Sequence, residues 1–202
     1  MDIKVIIFLI MAYLIGSIPT GVIIGKKFKG IDIREHGSKN TGATNAYRVL
    51  GKQYGIIVLL ADALKGWLPV FIADMAGVGD WQLILVGVLT IVGHTLSPFL
   101  KFKGGKGVAT SLGVFLFLAP KIVLILVAVF LVVAGTTKYV SLASVSVAGL
   151  FPILVLFLQT GDKRDWSLFG FSLMIGLFVI FKHRSNIERL LKGNENKFGT
   201  KK

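Results

Sequence analysis

Three short polar segments interrupt an otherwise apolar chain, and their residue types suit the binding of phosphate. The first covers residues 37–45 and is followed by Arg48, a planar double donor that matches phosphate oxygens. Its short hydrogen-bonding side chains are Ser38, Asn40, Thr44 and Asn45. If a helix begins near Ala43, Thr44 and Arg48 share one face and the first backbone amides favour an anion. The alternative is a solvated turn of small polar residues.

The second segment surrounds a lysine with glycines and opens directly onto an apolar run. Gly104, Gly105 and Gly107 flank Lys106, an arrangement that predicts a phosphate cradle. It is not a Walker A loop, which requires glycine in place of Leu100 and Ser or Thr in place of Gly107. ATP or GTP hydrolysis is therefore not supported. The alternative is a flexible turn whose lysines only fix the membrane topology.

The third segment, residues 183–191, indicates a membrane span that continues as an amphipathic helix. His183 and Asn186 are three residues apart, so on a helix both could reach one ligand. A histidine near a membrane interface is by default a structural hydrogen-bonding group, and this alternative stays open. With the spans assigned as described below, all three segments are expected on the cytoplasmic side.

Composition places the chain in a membrane. Of 202 residues 54% are apolar and only 16% charged, and the mean hydropathy is +0.77, whereas soluble domains carry roughly 25% charged residues. The net charge of +13 comes from lysines and arginines in short loops, the pattern of cytoplasmic loops, so no nucleic acid partner is expected. Without cysteine there is no disulfide or thiolate metal site. We expect neither a metal nor a cofactor.

Apolar runs long enough for a bilayer of about 30 Å define the spans. They occupy residues 3–25, 55–76, 81–100, 140–160 and 166–181. The first is too long for a signal peptide and is interpreted as an uncleaved span. A further run at 108–137 is interrupted by Pro120 and forms either one long helix or two short ones.

Charge favours two helices in that run. With two, the tail after Phe181 lies inside with the other basic loops, and few basic residues remain outside: Lys4, Lys121, Lys163 and Arg164. The sequence therefore predicts a single all-α integral membrane domain over residues 1–202. It has seven transmembrane helices, two of them short and flanking Pro120, with the N-terminus outside and the C-terminus in the cytoplasm.

Two further features are polar residues within or beside spans. Asp62 and Lys65 lie at i, i+3, where they are expected to neutralise each other in a structural role. Ser141 begins a span on the cytoplasmic side. It either only packs helices or faces the same polar pocket.

Together the three segments resemble the bacterial acyl-phosphate:glycerol 3-phosphate acyltransferase family, PlsY. The resemblance rests on Gly-Ser-x-Asn-x-Gly-Ala-Thr-Asn at 37–45 with Arg48, on Lys-Gly-Gly-Lys-Gly-Val-Ala-Thr at 103–110, and on His-Arg-x-Asn-Ile at 183–187 with Glu195 downstream. It implies transfer of an acyl chain from acyl phosphate to the sn-1 hydroxyl of glycerol 3-phosphate, which gives 1-acylglycerol 3-phosphate and phosphate.

The resemblance also implies roles for individual residues. The expected catalytic residues are Ser38, Arg48, Lys106, His183 and Asn186. The expected phosphate-binding residues are Asn40, Thr44, Asn45, Gly104, Gly105, Gly107 and Ser141, and Glu195 is structural. Either His183 or the phosphate of the donor takes the hydroxyl proton; we favour the donor, with His183 binding and orienting the substrate.

The implied setting is the bacterial plasma membrane, with the active site at its cytoplasmic face. Partners would be acyl phosphate, glycerol 3-phosphate, the bilayer and, transiently, the soluble enzyme that makes acyl phosphate. The main rival is an organic-phosphate transporter, which needs polar residues across several spans. Apart from Asp62 and Lys65 the spans are nearly clean, so the transporter stays the alternative. A scaffold that only touches anionic lipid leaves the Gly, Asn, Thr and Ser spacing unexplained.

Overall fold

A computed structural model describes residues 2–159 and 165–199, and these residues are all-helical, without β-strands. The chain forms two compact units, residues 1–118 and residues 119–202. The predicted single domain stays a prediction. Five positions used in the sequence-based topology lie outside the described residues: Thr160, Lys163, Arg164, Lys201 and Lys202.

The first unit holds six α-helices and one 3₁₀ turn. They are α1 (Ile3–Ser17), α2 (Thr20–Lys29), α3 (Ala43–Leu50), α4 (Lys52–Met75), α5 (Asp80–Thr95), the 3₁₀ turn (Pro98–Leu100) and α6 (Val108–Leu118). The second unit holds four helices: α7 (Pro120–Thr137), α8 (Val140–Leu158), α9 (Trp166–Lys182) and α10 (Arg184–Leu191).

Among the residues that the structure describes, five helical segments are long and apolar enough to span a membrane, and the bent pair α9–α10 makes a sixth if it is one span. The prediction of two helices around Pro120 is confirmed, because α6 ends at Leu118 and α7 begins at Pro120. Only one of them is short, however. The α7 helix has 18 residues, whereas α6 has 11 and at 1.5 Å per residue covers about half of the bilayer core.

The predicted first span is present as one apolar segment, Ile3–Lys29, but its helix is interrupted. Helix α1 ends at Ser17 and α2 begins at Thr20, on either side of Pro19, which has no N–H and so removes one helical hydrogen bond. The break leaves backbone carbonyl groups without a partner in the helix. In an apolar environment, other groups of the protein must donate hydrogen bonds to them. The Ser97 hydroxyl donates to the Ser17 carbonyl at 2.7 Å, and the Lys65 ammonium donates to the Ile18 carbonyl at 2.7 Å.

Glycines allow helices of the first unit to touch backbone to backbone. A Cβ at Gly16 would overlap the Thr90 carbonyl, which places α1 directly against α5. A Cβ at Gly66 or Gly113 would overlap the carbonyl of Thr110 or Ala63, so α4 and α6 cross in the same way. Close approach through small residues is how membrane helices gain packing contacts without a hydrophobic driving force. The crossing fixes α6, and with it the glycine-rich loop that precedes α6.

The third polar segment does not simply prolong the preceding span. Helices α9 and α10 meet at an angle of 58°, and His183 stands at the bend with φ −98° and ψ 6°. The amphipathic helix itself is present as predicted, from Arg184 to Leu191. The bend turns His183 and Asn186 into the second unit, where both side chains are buried.

Candidate active site

The side-chain amide of Asn45 organises the first polar loop. Its Oδ1 accepts the Ser38 N–H at 2.8 Å, and its Nδ2 donates to the carbonyls of Ile33 at 2.8 Å, Asn40 at 2.8 Å and His36 at 3.2 Å. The side chain is only 1% exposed. Asn45 therefore acts on the shape of the loop from within, and its predicted contact with phosphate stays a prediction.

The more accessible polar groups of this loop are Ser38, Thr44 and Arg48. Ser38 and Arg48 are exposed and Thr44 is half-buried. The expected helix is present: α3 begins at Ala43 after the cap residue Gly42, whose N–H donates to Asn40 Oδ1 at 2.9 Å. The first backbone N–H groups of a helix have no acceptor within it, so they suit an anion.

Asp32 fastens the start of this loop to the end of α2. It accepts from the guanidinium of Arg34 at 2.6 and 2.9 Å and lies 3.5 Å from the Lys26 ammonium. The hydrogen bonds from Arg34 hold the pKa of Asp32 well below its usual range, against the opposing effect of burial. The carboxylate is thus ionised at neutral pH and neutralises part of the basic loop.

The glycine-rich loop rests on the C-terminal end of α5. The Gly104 N–H donates to the Thr95 carbonyl at 3.1 Å, and the Gly105 N–H donates to the His94 carbonyl at 3.2 Å. Gly107 has φ +85° immediately before α6, a conformation that favours glycine. Lys106 stands between these glycines and is half-buried. Two backbone hydrogen bonds thus hold the loop against the end of α5.

A polar cluster in the first unit has two members, Thr20 and His94, that the sequence did not predict. The predicted pair is present, with Lys65 Nζ 2.7 Å from Asp62 Oδ1. Thr20 donates a short hydrogen bond to the same oxygen, and His94 Nδ1 lies 3.7 Å from it. The one signal available was a polar residue, His94, within an apolar run, but no spacing rule links it to Asp62.

A small pocket, open to solvent on one side, adjoins this cluster. Its lining includes Thr20, Lys65 and His94 together with Thr41 from the first polar loop. The buried ion pair therefore lies in the same unit as both phosphate-binding candidates, beside a space that holds about one water molecule.

In the second unit Glu195 collects three donors. Its Oε1 accepts from Ser141 Oγ at 2.8 Å and from Asn186 Nδ2 at 2.6 Å, and its Oε2 accepts from Arg189 Nε at 2.7 Å. Burial alone would raise the pKa of Glu195, but these hydrogen bonds and the Arg189 charge lower it overall. The carboxylate fastens the chain after α10 to α8 and α10, contacts that suit the structural role implied for it.

These bonds limit what two predicted site residues can donate. The Ser141 hydroxyl has one hydrogen, which is directed to Glu195, so its oxygen keeps only acceptor capacity. Such an oxygen does not suit a phosphate oxygen, and the predicted phosphate-binding role of Ser141 would require this bond to exchange. Asn186 likewise commits one amide hydrogen to Glu195.

The imidazole of His183 is held in one orientation. Its Nδ1 lies 2.8 Å from the Val179 carbonyl oxygen, one turn earlier in α9. A carbonyl can only accept, so Nδ1 carries the hydrogen, and in the neutral ring Nε2 is an acceptor. His183 is 4% exposed. A fixed neutral tautomer with an acceptor at Nε2 suits either a general base or a group that orients a hydroxyl.

The comparisons with known proteins agree on one family. A family model described as glycerol-3-phosphate acyltransferase matches residues 6–193. A curated glycerol-3-phosphate acyltransferase of Fusobacterium nucleatum subsp. nucleatum is 54% identical over 191 residues, covering 95% of this chain and 96% of that protein.

Two crystal structures of PlsY, an integral membrane glycerol 3-phosphate acyltransferase, match the fold. The glycerol 3-phosphate form is 41% identical with a TM-score of 0.88, and the lysophosphatidic acid form is 40% identical with a TM-score of 0.85. Each comparison covers 97% of this chain and 96% of that chain.

We predict that Glu195→Gln destabilises the protein in a pH-dependent way. Because the folded-state pKa of Glu195 is lowered from 4.5, the carboxylate contributes stability that is fully present above that value. The contribution is lost as the pH falls through the lowered pKa. Thermal unfolding in detergent should therefore show a lower Tm for the variant at pH 7 and a difference that shrinks below about pH 4.5.

The matched control is Glu188→Gln. That carboxylate pairs with Lys192 at 2.7 Å, but both side chains are 65% exposed, and exposed pairs contribute little. Its Tm should stay near that of the unmodified protein at every pH. A Glu195→Gln protein that matches this control at pH 7 would contradict the structural role of Glu195.

Proposed function

The chain belongs to the glycerol-3-phosphate acyltransferase family, and from this premise we propose that it transfers a fatty acyl group from acyl phosphate to the sn-1 hydroxyl of glycerol 3-phosphate. The products are 1-acylglycerol 3-phosphate and inorganic phosphate, in phospholipid synthesis. The observation that carries the proposal is the family match, which runs from residue 6 to residue 193 and so includes all three polar segments.

The reaction breaks one mixed-anhydride bond and forms one ester. The sn-1 hydroxyl oxygen attacks the acyl carbon, and the bond from that carbon to the phosphate oxygen breaks. Phosphate is a good leaving group, so positioning and charge stabilisation can supply much of the rate. Arg48 and Lys106 are the proposed cationic groups for this purpose. Ser38 and Thr44 add hydroxyl hydrogen-bond donors.

We assign the remaining polar residues by what their atoms already bind. Asn45 and Asn40 shape the first loop through bonds within it. Gly104, Gly105 and Gly107 shape the second. Glu195 holds Ser141 and Asn186, so those two residues act from fixed positions in the second unit. Both groups of residues are proposed to serve the same reaction.

The proton of the attacking hydroxyl has two possible acceptors. The Nε2 atom of His183 has the right tautomer, and the phosphate of the donor carries the proton away if it acts as the base. We favour the donor phosphate, because then the proton leaves with the product phosphate and the enzyme needs no separate step to lose it. His183 would then accept a hydrogen bond from the substrate and orient it.

The proposed topology has seven spans, an external N-terminus and a cytoplasmic C-terminus in a bacterial plasma membrane. The short α6 is accommodated because the glycine-rich loop before it is packed on α5 within the protein, where irregular backbone is tolerated. The site would face the cytoplasm, from which soluble glycerol 3-phosphate and the enzyme that makes acyl phosphate have access.

Purified protein in detergent should release phosphate when given acyl phosphate and glycerol 3-phosphate together. Acyl-CoA in place of acyl phosphate should give no comparable product. Arg48→Lys keeps the charge but loses the planar double donor, so we expect a loss of kcat/KM of about 10²-fold, the cost of removing one transition-state donor.

The control for charge alone is Lys52→Gln, because Lys52 is an exposed basic residue at the start of α4, four residues after Arg48. Its kcat/KM should stay within about twofold, as for an exposed screened charge. The transporter alternative predicts a different result: uptake of labelled glycerol 3-phosphate into sealed vesicles in the absence of donor. Such uptake without phosphate release would refute the acyltransferase proposal.

A pH–rate profile of His183→Gln tests which group removes the proton. Because we favour the donor phosphate as the base, the variant should be much slower but keep the same pH dependence of kcat/KM as the unmodified enzyme. Loss of the acidic limb in the variant would show that the imidazole titrates in the reaction. His183 would then be the base.

Single cysteines test the topology cleanly, since the chain has no cysteine of its own. Cysteines placed at Lys39, Lys103 and Lys192, all exposed, should react with a membrane-impermeant maleimide only in inside-out vesicles. A cysteine at Lys121, also exposed, should react only in right-side-out vesicles. Any of the first three reacting from outside would refute the proposed orientation.

A further inference from the structure

The imidazole of His94 is a buried group that the proposed chemistry does not use. It lies in the last turn of α5 and is 7% exposed. One side of the ring faces the buried ion pair, with Nδ1 3.7 Å from Asp62 Oδ1. The other side faces the glycine-rich loop, because a Cβ built on Gly105 would overlap His94 Nε2. The ring therefore occupies the whole space between Asp62 and Gly105.

The ring has little room to retreat from the loop. The Asp62 carboxylate behind it is 1% exposed and is held by the Lys65 ammonium and the Thr20 hydroxyl. Lys65 is held in turn by the Ile18 carbonyl at the break between α1 and α2. Displacing the ring toward Asp62 would disturb a buried ion pair, which is costly.

Hydrogen bonds also keep the glycine-rich loop from moving away from α5. The N–H groups of Gly104 and Gly105 donate to the last carbonyls of α5, which draws the loop onto the helix end. A Cβ on Gly104 would overlap the backbone carbonyl of His94, whereas the three atoms nearest to a Cβ on Gly105 all belong to the ring of the same residue. The backbone of α5 supports one glycine and the imidazole supports the next.

We propose that His94 is a positioning residue for the glycine-rich loop. Its ring, backed by Asp62, sets the distance of Gly105 from α5, and so places the next residue, Lys106, for the phosphate of the acceptor substrate. This inference rests on the proposed function for the identity of that substrate. It assigns the buried ion pair an indirect part in catalysis.

The test is a double-mutant cycle with a built-in control. Gly105→Ala should lower kcat/KM by about 100-fold, the effect of displacing a positioned group by roughly 1 Å. His94→Ala removes the support and should raise the KM for glycerol 3-phosphate about tenfold, with the KM for acyl phosphate unchanged. The double variant should perform about as well as His94→Ala alone, because the new methyl group fills the space of the ring.

Gly104→Ala is the matched control, because its added methyl group meets the His94 backbone carbonyl, which no side-chain replacement removes. His94→Ala should therefore fail to improve Gly104→Ala. The proposal is overturned if Gly105→Ala leaves kcat/KM unchanged, or if the losses in kcat/KM of Gly105→Ala and His94→Ala multiply in the double variant. It is also overturned if His94→Ala improves Gly104→Ala as much as it improves Gly105→Ala.

Thermal unfolding of the same variants separates this inference from the proposed function. Gly105→Ala should lower the Tm, and adding His94→Ala to it should largely restore the Tm. Adding His94→Ala to Gly104→Ala should not restore the Tm. Neither result depends on the identity of the substrate. Absence of turnover in the unmodified protein would refute the acyltransferase proposal alone. Absence of Tm recovery in the Gly105→Ala/His94→Ala pair would refute the role of His94 even in an active enzyme.

Discussion

The need to satisfy every backbone carbonyl in an apolar environment governs the first unit. Pro19 interrupts what hydropathy reads as one span, and the freed carbonyls of Ser17 and Ile18 are taken by Ser97 and Lys65. Burial of the Lys65 ammonium in turn requires Asp62. The ion pair is therefore not an isolated feature of α4: its ammonium donates to a carbonyl at the break between α1 and α2, just before α2 leads into the first polar loop.

The polar residues of both units fall into two classes. Some hold the backbone in place through their hydrogen bonds, and others are accessible at the surface. Asn45 and Glu195 make their hydrogen bonds within the protein. Asn45 donates to loop carbonyls, and Glu195 accepts from three donors. Ser38 and Arg48 remain exposed. A residue type alone does not distinguish the two classes, because an asparagine suits both a phosphate and a ring of carbonyls.

The sequence predicted features that depend on neighbouring residues and missed those that depend on distant ones. The start of α3 at Ala43, the break before Pro120 and the pairing of Asp62 with Lys65 all follow from local spacing. The break at Pro19 was not predicted because the hydropathy of the sequence is continuous across it. His94 escaped because its partners, Asp62 and Gly105, come from α4 and from the loop after α5. Two short helices were predicted around Pro120, but only α6 is short, since α7 extends over 18 residues.

The crossing of α4 and α6 has a consequence for how a lipid-like donor reaches the enzyme. At Gly66 and Gly113 the two main chains touch, so no layer of side chains can swing aside there like a gate. Prising this seam apart would forfeit contacts that lipid tails cannot replace. A gap wide enough for an acyl chain would therefore have to open between other helices, and the contact between α4 and α6 would stay closed.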